Sequence, residues 1–134
     1  MMGLTLQQAA LLETSRAMRT GSWFSLLRIA PVGWSALEGE LEVLANLISA
    51  HLRHTDLVEH RETREIGVLL FDTVGVQVRA PVDRVRAAAK LHLPKLDIRI
   101  GWASVGPGQR RTWQEGWRWA GQLLVADAAV AAAA

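Results

Sequence analysis

Leu37, Leu41, Leu44, Ile48 and Leu52 recur at intervals of three and four, while Glu38, Glu42 and Arg53 lie toward the other side. That spacing puts one apolar stripe on a helix. A first helix is predicted from about Leu6 to Arg19, stopped at Gly21, a residue suited to a left-handed cap. Between the two helices, Trp23-Phe24-Ser25-Leu26-Leu27-Arg28-Ile29 reads as a strand, with Pro31 and Gly33 forming its exit turn. Two short strands follow, near Asp56–His60 and Glu65–Phe71. The run Ile66-Gly67-Val68-Leu69-Leu70-Phe71 is apolar without alternation, as expected of a central strand covered on both faces. The next segment fits two patterns. Val74, Val76 and Val78 alternate like a strand, whereas Val78, Val82, Val85 and Ala89 fit a helix that Pro81 either opens or kinks. Leu96 to Trp102 alternates as a further strand, and the loop Gly106-Pro107-Gly108 leads into a last helix that fades into alanine from Ala128.

Three helix starts carry one signature: Thr5-Leu6-Gln7-Gln8, Ser35-Ala36-Leu37-Glu38 and Thr112-Trp113-Gln114-Glu115. In each, the hydroxyl serves an orphan amide one turn in, and the Glu or Gln reaches back. The order is therefore α-β-α-β-β-α-β-α, an α/β sandwich with helices against one small sheet. One domain is expected over residues 1–134, with an alanine-rich tail at 128–134.

Composition agrees with a globular domain and narrows the chemistry. Half of the 134 residues are hydrophobic and 21% are charged, which excludes a disordered chain. Fifteen Lys and Arg against thirteen Asp and Glu leave a formal charge of +2, too even to argue a nucleic-acid binder on charge. The absence of cysteine excludes disulfides, thiolate metal sites and a cysteine nucleophile. No uncharged stretch reaches the length of a membrane span and no basic-then-apolar leader is read, so a soluble, cytoplasmic protein is expected.

His51, His54 and His60 cluster around Asp56 and Glu59, yet no ligand pair has the i, i+4 spacing of a helical zinc motif. Neither a metal nor any other cofactor is expected. The six tryptophans, with no tyrosine, are a stronger signal. Trp113, Trp117 and Trp119 lie beside Arg110, Arg111 and Arg118, an interleaving that stacks nucleic-acid bases in some proteins. Trp113 and Trp117 share a helix face and can pack on the sheet, which leaves Trp119 to one side. An exposed Trp beside Arg is also the composition of a protein interface, here Trp117, Arg118 and Trp119. Core packing and a protein interface are favoured over nucleic acid.

Element order, spacing and several local patterns resemble the GGDEF domains, the diguanylate cyclases and their inactive relatives, over about Gly3 to Ala128. Gly3-Leu4 before a helix is similar to the opening of these domains, and Phe24-Ser25-Leu26-Leu27 to their first strand. Leu52 to Val58 resembles the approach to their signature hairpin. Counting back from Val68-Leu69-Leu70 places the signature on Glu62-Thr63-Arg64-Glu65-Ile66. Asp72-Thr73, Asp83-Arg84-Val85-Arg86 and Arg99-Ile100-Gly101-Trp102-Ala103-Ser104 fall in the same register. The fold that the resemblance implies is the nucleotidyl-cyclase-like palm, a small, mostly antiparallel central sheet flanked by helices.

The departures imply loss of catalysis. The family's cyclases hold two divalent cations on acidic residues of the first strand and the hairpin. Arg28 and Ala30 stand at the strand's Asp-x-Asp positions, Arg64 at the hairpin acid, and Glu62 and Thr63 at the two glycines that admit the nucleotide. Glu65 alone keeps the core of the signature. A cation in place of a metal-binding carboxylate repels divalent ions, so the resemblance implies a domain that is not an enzyme. Arg28 and Arg64 are expected at the ends of adjacent strands, with Glu65 or Glu62 or a bound anion between them. One feature is kept: Arg53-His54-Thr55-Asp56 has the position of the family's Arg-x-x-Asp site for cyclic di-GMP. An arginine fork can engage guanine O6 and N7 or a phosphate, and a carboxylate can accept from guanine N1 and N2. The structural alternative makes Arg53 a partner of the helix dipole and Asp56 the closure of a turn. The expected role is regulatory, with cyclic di-GMP, a protein partner or a second copy as occupants.

Overall fold

The computed structural model describes residues 5–32, 38–61, 64–107 and 112–133, with no description of side chains at 38, 61 and 126–133. The elements are α1 (Leu6–Thr20), β1 (Phe24–Pro31), α2 (Glu38–Ala50), β2 (Leu57–Arg61), β3 (Glu65–Phe71), α3 (Arg79–His92), β4 (Ile98–Val105) and α4 (Trp113–Ala133). A single 3₁₀ turn, Gly75–Val78, runs directly into α3. This resolves the ambiguous valines: Val78 is buried at the junction, and Pro81 sits in the first turn of α3, where its missing N–H has no helical partner to lose.

Four strands form one antiparallel sheet in the order β2-β3-β1-β4. The unalternating strand β3 is interior, and its middle five residues are buried. Successive side chains of β1 point to opposite faces. Leu27 and Ile29 join Leu44, Ile48, Val68, Val85 and Ile100 on the side of α2 and α3. Phe24 and Leu26 join Leu69, Val105, Ala10 and Ala17 on the side of α1 and α4. The alanines of α1 let that helix lie close on the sheet.

Caps form where the sequence marks them. Thr5 Oγ1 accepts from the Gln8 amide at 3.1 Å, and Gln8 Oε1 accepts from the Thr5 amide at 2.9 Å. Gly21 ends α1 in the left-handed conformation, φ 73°. At the start of α4 the Glu115 amide donates to Thr112 Oγ1 at 3.3 Å. The expected Ser35 cap lies outside the described residues. The alanine stretch is helix, not a loose tail: α4 continues to Ala133, in keeping with alanine's high helix propensity.

Arg28 sits in the middle of the α4 face of the sheet. Its cross-strand neighbours are Gly67 on β3 and Gly101 on β4. A Cβ at Gly101 would collide with the backbone of Ala120 and Leu124, so α4 rests directly on that strand. A Cβ at Gly121 would collide with the Arg28 guanidinium. Glycines on three sides thus open a slot for one long cation beneath α4.

Candidate functional site

Two arginine-carboxylate pairs define the chemistry of the fold, one beneath α4 and one between β3 and α3. In the first, Arg28 Nε donates to Glu65 Oε1 at 2.7 Å and Nη2 to Glu65 Oε2 at 2.9 Å, a bidentate fork. Nη1 donates to the carbonyl of Trp117 at 3.2 Å, and the guanidinium carbon lies 4.7 Å from the centre of the Trp117 ring. The side chains are 21% and 13% exposed. All three guanidinium nitrogens are engaged, so the ion pair expected beside Arg28 is formed, with Glu65.

Arg64 opens β3 from the hairpin with φ 62°, a left-handed conformation costing a non-glycine residue about 1–2 kcal/mol. Ile66, the last signature residue, is fully buried on the α2 face. Glu62 and Thr63 lie outside the described residues. The residues at these positions do not fit a pair of divalent cations. Arg28 and Ala30 offer no carboxylate, and Glu65 is spent on Arg28. Among the described residues no three His, Asp or Glu side chains come together to hold a metal ion.

The second pair lies at the far end of β3. Arg53 Nε and Nη2 donate to Asp56 Oδ2 and Oδ1 at 3.2 and 3.0 Å. Nη2 also reaches the Phe71 carbonyl at 2.6 Å and Thr73 Oγ1 at 3.0 Å. Asp56 additionally accepts from the backbone amides of Arg53 at 3.2 Å and Phe71 at 3.4 Å. Both of its oxygens are therefore committed, and its side chain is only 3% exposed against 53% for Arg53. The turn-closing role expected of Asp56 is present, and its carboxylate serves the protein rather than facing outward. At the end of α2, His51 Nδ1 lies 2.9 Å from the Leu47 carbonyl, and Arg84 Nε donates to the His51 carbonyl at 3.1 Å.

Arg53 and Asp56 line an open cleft of about 290 Å³ together with Asp72, Thr73, Gln77 and Arg84. Arg53 Nη1 and both Nη atoms of Arg84 donate to no atom among the described residues. The cleft thus combines two cationic side chains with polar groups and the apolar Leu70, Ala80 and Pro81. Arg84 was legible in sequence only as part of a helix segment in register with the hairpin, and its place in this cleft comes from the packing of α3.

The remaining candidates separate. Trp117, on α4, stacks on the Arg28 guanidinium and packs against the α1-side core, where it is half-buried. Trp113 packs there too, its buried Nε1 meeting no hydrogen-bond partner among the described residues. Trp119 does turn outward, 44% exposed, beside the exposed Arg118 and Leu123. Glu59 accepts from the Leu6 amide at 2.8 Å, so this β2 carboxylate caps α1, a role with no sequence signal.

No protein-family profile and no curated protein matches the chain. Its fold, however, is that of GGDEF domains. The diguanylate cyclase SiaD of Pseudomonas aeruginosa, solved in complex with its activator SiaC, aligns at TM-score 0.76 and 20% identity over 94% of this chain and 54% of its own. The FimX GGDEF domain from the same organism aligns at TM-score 0.74 and 16% identity, over 92% of this chain and 83% of its own. PelD of Pseudomonas aeruginosa, solved with c-di-GMP, is more distant: TM-score 0.55 and 18% identity over 77% of this chain and 38% of its own. This chain is GGDEF-like in fold, and it spans about half the length of the SiaD chain. Among the described residues no helix is long and apolar enough to cross a membrane.

Proposed function

We propose that this GGDEF-like domain is not a cyclase and acts as a regulatory receptor for cyclic di-GMP. The observation that carries this reading is the cleft lined by both Arg53 and Arg84, whose remaining guanidinium donors meet no acceptor among the described residues. Its volume suits one guanine with its phosphate, half of the dinucleotide, with the other half outside. Arg53 and Arg84 supply donors to guanine O6 and N7 or to phosphate oxygens, and Asp56 fixes the plane of Arg53. The bidentate Arg28–Glu65 pair supports the loss of catalysis, because it occupies the acid that the metal chemistry needs. PelD's complex with c-di-GMP supports the ligand class.

Calorimetry with cyclic di-GMP is the test. Binding is expected, weakened about ten- to a hundredfold in Arg53→Ala, the loss of a charge-assisted contact from Nη1 worth about 1.5–3 kcal/mol. Absence of heat at high ligand concentration overturns the receptor reading. Incubation with GTP and Mg²⁺ should yield no cyclic dinucleotide, and turnover that vanishes in Glu65→Gln overturns the loss of catalysis. A second reading, a protein-binding module with a separate partner or a second copy, draws on the exposed Trp119, Leu123 and Val125 of α4. SiaD's complex with SiaC is consistent with it.

A further inference from the structure

Behind the Arg53 cleft lies a second cavity of about 230 Å³, walled by Val74, Gly75, Ser104 and the α4 residues Trp119 and Leu123. The two cavities share no lining residue, yet Thr73 lines the first while Val74 and Gly75 line the second. One three-residue segment therefore separates them. It is bracketed by two left-handed residues, Asp72 at φ 49° and Gly75 at φ 58°.

A buried chain of hydroxyls fixes that segment. The Gly75 amide donates to Ser104 Oγ at 3.0 Å, Ser104 Oγ lies 2.9 Å from Ser25 Oγ, and Ser25 Oγ donates to the Thr73 carbonyl at 2.7 Å. Because Ser25 gives its proton to Thr73, the proton between the two serines belongs to Ser104, and the chain has one consistent direction. Ser25, Ser104 and Thr73 are all buried. On the other side, Arg53 Nη2 holds Thr73 Oγ1 at 3.0 Å, and Gln77, which lines the first cavity, accepts from the Val74 amide at 2.9 Å. Arg53 and Ser104 thus grip the same short segment from opposite cavities.

The geometry points to a coupled pair of sites: an anion drawn onto Arg53 shifts the Thr73–Gly75 wall and so alters the cavity beneath Trp119. The ligand in this statement rests on the receptor reading above, but the mechanical link does not. An occupant that pulls the guanidinium outward weakens its hold on Thr73. Buried hydrogen-bonded networks then rearrange as a unit, because each member left unpaired is costly. The effect reaches the α4 surface, where Trp119 stands, through the cavity that Val74, Gly75 and Ser104 line together with it.

Amide and indole ¹H–¹⁵N NMR spectra of the whole chain test it. Two arms are needed: titration with cyclic di-GMP, and Arg53→Ala without ligand, repeated as Arg53→Lys, which keeps the charge and loses the fork. Both variants should move the Gly75 amide and Trp119 indole signals by more than their line widths, and cyclic di-GMP should move the same two signals. Ser104→Ala should abolish the Trp119 response to either. If the variants leave Gly75 and Trp119 in place, the coupling is overturned. So it is if the ligand binds by calorimetry and shifts only the Arg53 cleft. If the ligand gives no heat while the Arg53 variants move both signals, the coupling stands and the receptor reading fails.

Discussion

Arg28 and Arg53 each meet a carboxylate through Nε and Nη2, and there the likeness ends. Arg28 spends its third nitrogen on the Trp117 carbonyl and lies under that residue's ring, with α4 as a roof. Arg53 keeps Nη1 toward an open cleft and is 53% exposed. A carboxylate partner does not by itself close a cationic site; the cover above it does. The glycines at 67, 101 and 121 make that cover possible around Arg28, whereas the loop before α3 leaves Arg53 uncovered. The first pair is built as structure, and the second retains donors for something outside the chain.

The largest effect expected from breaking this contrast is at Arg28. Arg28→Met leaves Glu65 as a largely buried carboxylate without its fork, a change that costs about 3–5 kcal/mol in comparable sites. Urea unfolding should show that loss. The double variant Arg28→Met with Glu65→Met should recover most of it, since a matched apolar pair removes both desolvation penalties. Neither change should weaken cyclic di-GMP at the distant cleft. A single variant as stable as the parent, or a double variant no better than the single, shows that the first site is not closed by this pair.

The second comparison lies within the other pair. Asp56 is 3% exposed and anchors the amides of Arg53 and Phe71 as well as the guanidinium, so Asp56→Ala strips partners from several groups at once. A loss of about 1–3 kcal/mol is expected. Arg53→Ala should cost less, about 0.5–1.5 kcal/mol, because Arg53 is itself 53% exposed and its truncation lets water from the cleft reach the groups it leaves. Thermal melts in parallel check the order. Reversal of that order makes Arg53 the structural member and removes the case for a ligand.

How much of this was legible in the sequence follows the same division between local and assembled features. The caps at Thr5 and Gly21, the interior strand at Ile66–Phe71 and the α/β order depend on neighbours a few residues apart, and periodicity exposes such features. The partnership of Arg28 with Glu65 was readable only because a family register placed them on adjacent strands. The stacking of Trp117 on Arg28 had no signal in the sequence. No local pattern says that Arg28, 89 residues away, will lie against its ring. Arg84, Glu59 and the Ser25–Ser104 link belong to the same class, since each depends on elements brought together by the sheet. The alternation of Val74, Val76 and Val78 misled for a different reason: a 3₁₀ turn has a period near three and leaves Val76 exposed while burying Val78.

The smallest stability effect, and the sharpest discrimination between the two sites, is expected at Arg84. This residue is exposed on α3 and, among the described residues, makes one hydrogen bond to the fold, from its Nε to the His51 carbonyl at 3.1 Å. Arg84→Gln can still offer an amide donor near that carbonyl, so unfolding free energy should change by no more than about 0.5 kcal/mol, the usual range for surface positions. What the variant loses is a fixed positive charge and two outward N–H groups at the rim of the cleft. A phosphate oxygen or a guanine edge bound there would lose a charge-assisted contact, and affinity for cyclic di-GMP should fall about tenfold, equivalent to about 1.4 kcal/mol. Raising the salt concentration should narrow the gap between parent and variant, since the lost term is largely coulombic and partly exposed to screening. Arg28→Met and Arg84→Gln then form opposite outcomes, one costing stability and sparing affinity, the other sparing stability and costing affinity. Equal binding by parent and Arg84→Gln at low salt would reduce the cleft to the Arg53–Asp56 pair, and with it the claim that two arginines from different elements converge on one ligand.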